Sequence, residues 1–120
     1  MELIKVVNAK KVLESMADKE DISAHLSYWM TRFVVKAQHE HDFYLSETRK
    51  LINKYAEPDG NGSVRIPTDK IEELNNAIEE LGKTDVEAPN IKFALSEISS
   101  ELKLSMKQMY SLLDFIDDNK

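Results

Sequence analysis

Three clusters in this sequence carry side chains that could do chemistry. They are the loop EPDGNGSV at residues 57–64, the histidines His25, His39 and His41, and the group Tyr28, Trp29, Arg32 and Phe33. The loop has the glycine spacing of a calcium-binding EF-hand. Aligned on it, Glu57 takes the first ligand position, Asp59 the third, Asn61 the fifth and Gly62 the sixth, with Val64 at the apolar eighth. The twelfth position then falls on Thr68, where calcium needs a bidentate glutamate, and Glu57 is one methylene longer than the usual aspartate. Losing that carboxylate removes two oxygens and a charge together. Asp-Gly and Asn-Gly are also what a tight hairpin turn requires, because both pairs tolerate positive φ. A turn is therefore the expected structure. Glu57, Asp59 and Asn61 are rejected as metal ligands, and no cofactor is expected.

His39 and His41 stand two apart, which on a helix turns them toward different faces. A helical metal pair wants a spacing of three or four, as in H-E-x-x-H, and the local HEH lacks it. His25 lies about four turns away. Surface histidines are the plain reading, and a protein responsive to calcium or another metal is the minor alternative. Nucleophilic catalysis has no footing either, since the chain has no cysteine and no G-x-S-x-G elbow. With only three glycines, two of them in the turn, no phosphate-cradling loop is possible. The pairs Glu72–Glu73, Glu79–Glu80 and Asp117–Asp118 read as solvated helix faces. No enzymatic activity is expected.

The remaining cluster combines aromatic rings with a guanidinium, the composition of interface hot spots. Trp29, Met30 and Phe33 are equally what a small core needs, which leaves Tyr28 and Arg32 as the members expected at the surface. Met106 and Met109 beside Tyr110 pose the same choice between adaptable binding surface and gap-filling core. The candidate partner-binding residues are Tyr28, Trp29, Arg32, Phe33, His39 and His41.

These side chains need a scaffold, and the apolar periodicity supplies one. Asn8 is suited to cap a first helix over 8–18, with Val12, Leu13 and Met16 on one face. Ser23 caps a much longer helix over 23–57, in which Leu26, Met30, Phe33, Ala37, Tyr44, Leu51 and Tyr55 form one stripe, widened by Trp29 and Val34. Such a helix is roughly 50 Å long. That exceeds a compact domain of this size, so one end projects, is covered by later elements, or packs on another molecule. Around QHEHD the stripe weakens, which a partner-facing segment tolerates better than a core.

The turn and a short strand occupy 58–67, with Tyr55 and Ala56 expected to pair with Ser63 to Ile66. A helix over 69–81 follows, with Asp69 and Glu72 at capping-box spacing, Ile71, Leu74, Ile78 and Leu81 on its face, and Gly82 as its stop. Pro89 argues for extended chain in KTDVEAPNIKF, so 84–104 reads as extended or irregular, with 94–104 either loop or a short helix. The last helix, over 105–117, opens with Ser105 and Gln108 in a second capping-box pattern. The expected fold is mainly α: a long central helix, a short β-hairpin and two or three shorter packing helices.

The 120 residues fit one domain with a modest core. The net charge of −6 and scattered basic residues argue against nucleic acid as a partner, and no apolar run is long enough to cross a membrane. The absence of cysteine makes the cytoplasm of a cell the default location.

The block FYLSETRKLINKYAEPDGNGSVRIPTDKIEELNNAIEELGKTDVE resembles small uncharacterised proteins encoded by phages and prophages of Gram-positive bacteria. The shared features are Lys54–Tyr55–Ala56 at a helix exit, the turn Asp59 to Gly62, the strand Val64 to Pro67, the helix Glu73 to Leu81 with Asn76, and Thr84 to Glu87. The C-terminal LKLSMKQMYSLLDFID also fits, so the resemblance spans about residues 43–118. HLSYWMTRF has no counterpart in it. The resemblance implies a phage origin and a shared fold, and supplies no functional residues. Together these readings favour a protein-interaction module that binds and modulates or inhibits a host or defence protein. The alternative is a virion or tail assembly component, located in the particle. A long helix with an exposed apolar stripe also invites a homodimer.

Overall fold

Ser23 opens the element that dominates the molecule. In the computed structural model, which describes residues 1–119, its Oγ accepts from the backbone N–H of Leu26 and starts helix α2, Ala24–Tyr55. At 32 residues, α2 is about 48 Å long and runs most of a molecule measuring 54 × 29 × 24 Å. Its stripe divides in two. Leu26, Met30, Phe33 and Ala37 are buried, whereas Tyr44, Leu51 and Tyr55, further along the same face, are only half-buried.

The first half of α2 is covered by α1, Leu3–Glu14, which buries Leu3, Val6, Val7, Ala9, Lys10 and Leu13. Ile4 shares a cleft with Tyr44, while Leu13 and Met16 share one with Met30 and Val34, so the two helices run antiparallel. The expected start at Asn8 is wrong. The helix begins five residues earlier, and Asn8 is an exposed residue inside it. Its cap position is Glu2, whose side chain makes no capping bond. Backbone pairing replaces the side-chain cap here: Leu3 N–H donates to Thr84 O, and Val86 N–H donates to Met1 O. That pairing joins residues far apart in sequence, which local periodicity does not report.

After α2, strands β1, Glu57–Pro58, and β2, Val64–Arg65, form an antiparallel hairpin with Glu57 opposite Arg65 and Pro58 opposite Val64. The pairing lies beyond the expected Tyr55–Ala56 because α2 continues through Tyr55. A single 3-10 turn at Thr68–Lys70 leads into α3, Ile71–Gly82, which returns along the second half of α2. The expected Asp69–Glu72 capping box does not form, since the helix starts later and has no side-chain cap.

The C-terminal third resolves one open choice and shortens one helix. Within 84–104, β3, Phe93–Ala94, passes directly into α4, Leu95–Glu101, so the short helix is the reading of 94–104 that forms. The final helix α5 covers only Met106–Leu112, opened by the expected capping box of Ser105 and Gln108. A 3-10 turn, Leu113–Phe115, ends it, and β4, Ile116–Asp117, pairs in parallel with β3. Phe115 thereby turns into the core, where Phe33, Phe93, Ile98, Leu102 and Leu112 meet it. Burial of such side chains contributes about 1.5–3 kcal/mol each. The architecture is therefore mainly helical, with a long central helix and a small hairpin. Among the described residues, no helix is long and apolar enough to cross a membrane.

Candidate functional site

Successive residues of a helix are set about 100° apart, so a core-facing stripe leaves its neighbours pointing elsewhere. With Met30 and Phe33 in the core, Tyr28, Trp29 and Arg32 fall on the outward side of α2. Tyr28 is 57% exposed and Trp29 40%, and their rings meet edge to face with centroids 5.2 Å apart. Trp29 is thus not the core residue that composition suggested. Phe33 moves the opposite way: fully buried, it cannot contact a partner and is withdrawn as a binding residue.

His25, Trp29, Arg32 and Lys36 follow steps of four, three and four and so share one exposed stripe of α2. Beside it lies an open groove of about 310 Å³, lined among others by His25, Trp29, Asn90, Phe93 and Glu97. His25 Nδ1 is 3.1 Å from Glu97 Oε2 at its edge. Glu101, one turn further along α4, receives the Ser23 backbone N–H at 2.5 Å and the Ser23 hydroxyl at 3.1 Å. Two carboxylates of α4 thus hold the start of α2, where the helix dipole favours negative charge. This anchors the residues that display Trp29. The histidine's glutamate partner is distant in sequence, and no local pattern marks it.

His39 and His41 diverge as their spacing requires. His39 is exposed on the outer side of α2. His41 turns inward to α1, where its Nδ1 lies 3.0 Å from Nζ of Lys10. Lys10 is only 1% exposed, and it also donates to Glu14 Oε1 at 2.5 Å. An ammonium cannot accept, so Nδ1 of His41 is the acceptor and its proton sits on Nε2. Nε2 is buried and bonded to no protein group. Burial, reinforced by the Lys10 charge and opposed by Glu14, holds the His41 pKa below the ordinary histidine value. His41 is therefore an internal contact and not an outward binding residue. Sequence reasoning passed over Lys10, although it stands in the apolar series Leu3, Val6, Val7, Lys10, Leu13 of α1.

The glycine loop is a turn. Asp59 N–H donates to Ser63 O at 3.0 Å, while Asp59 Oδ1 accepts from the N–H of Asn61 at 2.8 Å and of Ser63 at 3.3 Å. Gly60 and Gly62 have φ of 88° and 85°, the conformation for which glycine is suited. The carboxylate that an EF-hand would turn toward a cation here closes the loop on itself. Among the described residues, no group of three or more His, Asp or Glu converges as a metal shell would.

The exposed, chemically distinctive surface is thus Tyr28, Trp29, Arg32 and Lys36 beside the groove. Comparison with known protein families, curated proteins and solved structures returns no match.

Proposed function

We propose that this chain is a non-catalytic interaction module of phage origin that binds, and so modulates or inhibits, a host or defence protein through the outer face of α2. The observation that carries the reading is the exposed pair Tyr28 and Trp29, with Arg32 on the same side of the helix and the groove of His25 and Glu97 beside it. Large rigid aromatics and arginine give the most affinity when a partner desolvates them. Trp29 is 40% exposed while Phe33 is wholly enclosed, so the indole is the ring of the two that a partner can reach. The phage origin rests on the resemblance over residues 43–118.

The test is quantitative capture from lysate of a Gram-positive bacterium, comparing wild type with Tyr28→Ala/Arg32→Ala. We expect a defined protein to be retained by wild type and lost by the double variant, with unchanged melting temperature in the variant. Equal capture by both would remove the outer face of α2 as the binding surface.

A second surface supports self-association. Leu45 and Ile52 are seven residues apart on α2, on one side of it, and exposed. α3 packs on α2 yet leaves Leu45 and Ile52 exposed, so their side is open to a second copy.

A further inference from the structure

We propose that Lys10 and His41 form an acid-sensitive latch that holds α1 against α2 while the imidazole is neutral and releases it when the imidazole gains a proton. The geometry that carries this is a buried ammonium donating to an imidazole nitrogen across the helix pair, at 3.0 Å. A protonated His41 carries hydrogen on both ring nitrogens and can no longer accept from Lys10. Two cations would then face each other at hydrogen-bond distance, with Lys10 unable to reach water because it is 1% exposed.

The surrounding charges decide whether this repulsion is relieved. From α1, His41 faces Lys10, Lys11 and Glu14; from its own helix it faces Asp42. Glu14 is the one carboxylate in contact with Lys10, and its side chain is 44% exposed, so water weakens its compensation. Glu14 is also held by the same ammonium. If Lys10 shifts to avoid a charged imidazole, Glu14 is drawn with it or loses its partner.

The consequence reaches the apolar cleft next door. Glu14 lines a cavity of about 300 Å³ together with Leu13, Met16, Ile22, Met30 and Val34. This cleft lies between the end of α1 and the first half of α2, so loosening the latch widens it and bares apolar surface that the neutral form encloses. Nothing else among the described residues hydrogen-bonds a side chain of α1 to a side chain of α2.

The experiment is hydrogen–deuterium exchange of the intact chain between about pH 7.5 and pH 5, read as protection factors that remove the intrinsic pH dependence of exchange. In wild type, amides of α1 are expected to lose protection by roughly tenfold or more relative to those of α4 and α5. In His41→Gln they are expected to keep it. Unchanged α1 protection in wild type, or an equal loss in His41→Gln, overturns the latch. A second measurement needs no variant to fold: the ring C–H resonances of the three histidines followed by NMR through the same range. His41 is expected to protonate below the ordinary histidine value of 6.5, with α1 resonances shifting at the same midpoint. Titration of His41 at or above 6.5, or an α1 that does not respond at its midpoint, also overturns it.

Discussion

Phe33 and Phe115 meet edge to face, with ring centroids 4.7 Å apart and planes at 81°. This contact joins the first half of the long helix to the 3-10 turn that ends α5, and Phe93 lies beside it with its ring centroid 6.0 Å from that of Phe33. All three are buried. Phe33→Ala is therefore expected to cost about 3–5 kcal/mol, as a cavity in a close-packed core. Trp29→Ala, four positions before it on α2, should cost only about 1 kcal/mol because the ring is already partly in water. Urea denaturation of both variants checks the contrast. Equal losses would mean that Trp29 is structural after all.

Gly82 is held to glycine by space and not by conformation. A Cβ built there would lie 3.0 Å from Cβ of Ile4, where the end of α3 crosses the start of α1. Gly82→Ala should destabilise by about 1–3 kcal/mol. Adding Ile4→Gly, which removes that Cβ, should recover part of that loss in a double-mutant cycle. Gly60→Ala meets no atom at all, and its cost of about 1–2 kcal/mol comes from a φ of 88°.

The Asp59 carboxylate accepts two backbone N–H groups of its own turn. Asp59→Ala is expected to lower stability by about 1 kcal/mol, the net worth of exposed bonds to a charged acceptor. Calcium should leave the melting temperature of the wild type unmoved, since binding to the folded state alone would raise it. Differential scanning fluorimetry measures both.

Acid should unfold this protein earlier than its His41→Gln variant. The fold holds the His41 pKa below the ordinary value of 6.5, so the unfolded chain takes up this proton first. The stability contribution is fully present above pH 6.5 and is lost as pH falls from there through the folded-state value. Denaturation midpoints compared across that window should fall further with decreasing pH in the wild type than in the variant. Parallel curves would show that the imidazole does not distinguish folded from unfolded chain.

If the seam of Leu45 and Ile52 pairs two copies, light scattering should give twice the chain mass of 13.8 kDa. Leu45→Glu/Ile52→Glu should then return a monomer with its helical signal retained. A wild type that is monomeric at high concentration would leave the seam without a second copy.

Much of this molecule was legible in the order of its residues. The three-and-four spacing of Leu26, Met30, Phe33 and Ala37 determined which face of α2 is buried, and Ser23 determined where that helix starts. Asp-Gly-Asn-Gly determined a turn, and Ser105 with Gln108 determined the start of α5. Those features depend on contacts a few residues apart, which a linear pattern records. Tertiary structure alone decided the rest. Trp29 stands on the outward side of α2 while Phe33 turns inward to Phe115, and Phe115 reaches that core where β4 pairs with the distant β3. The start of α1 at Leu3 depends on backbone bonds to Thr84 and Val86, and Lys10 finds His41 thirty-one residues away. Such choices are set by packing volume and by long-range hydrogen bonding, and neither leaves a period in the sequence.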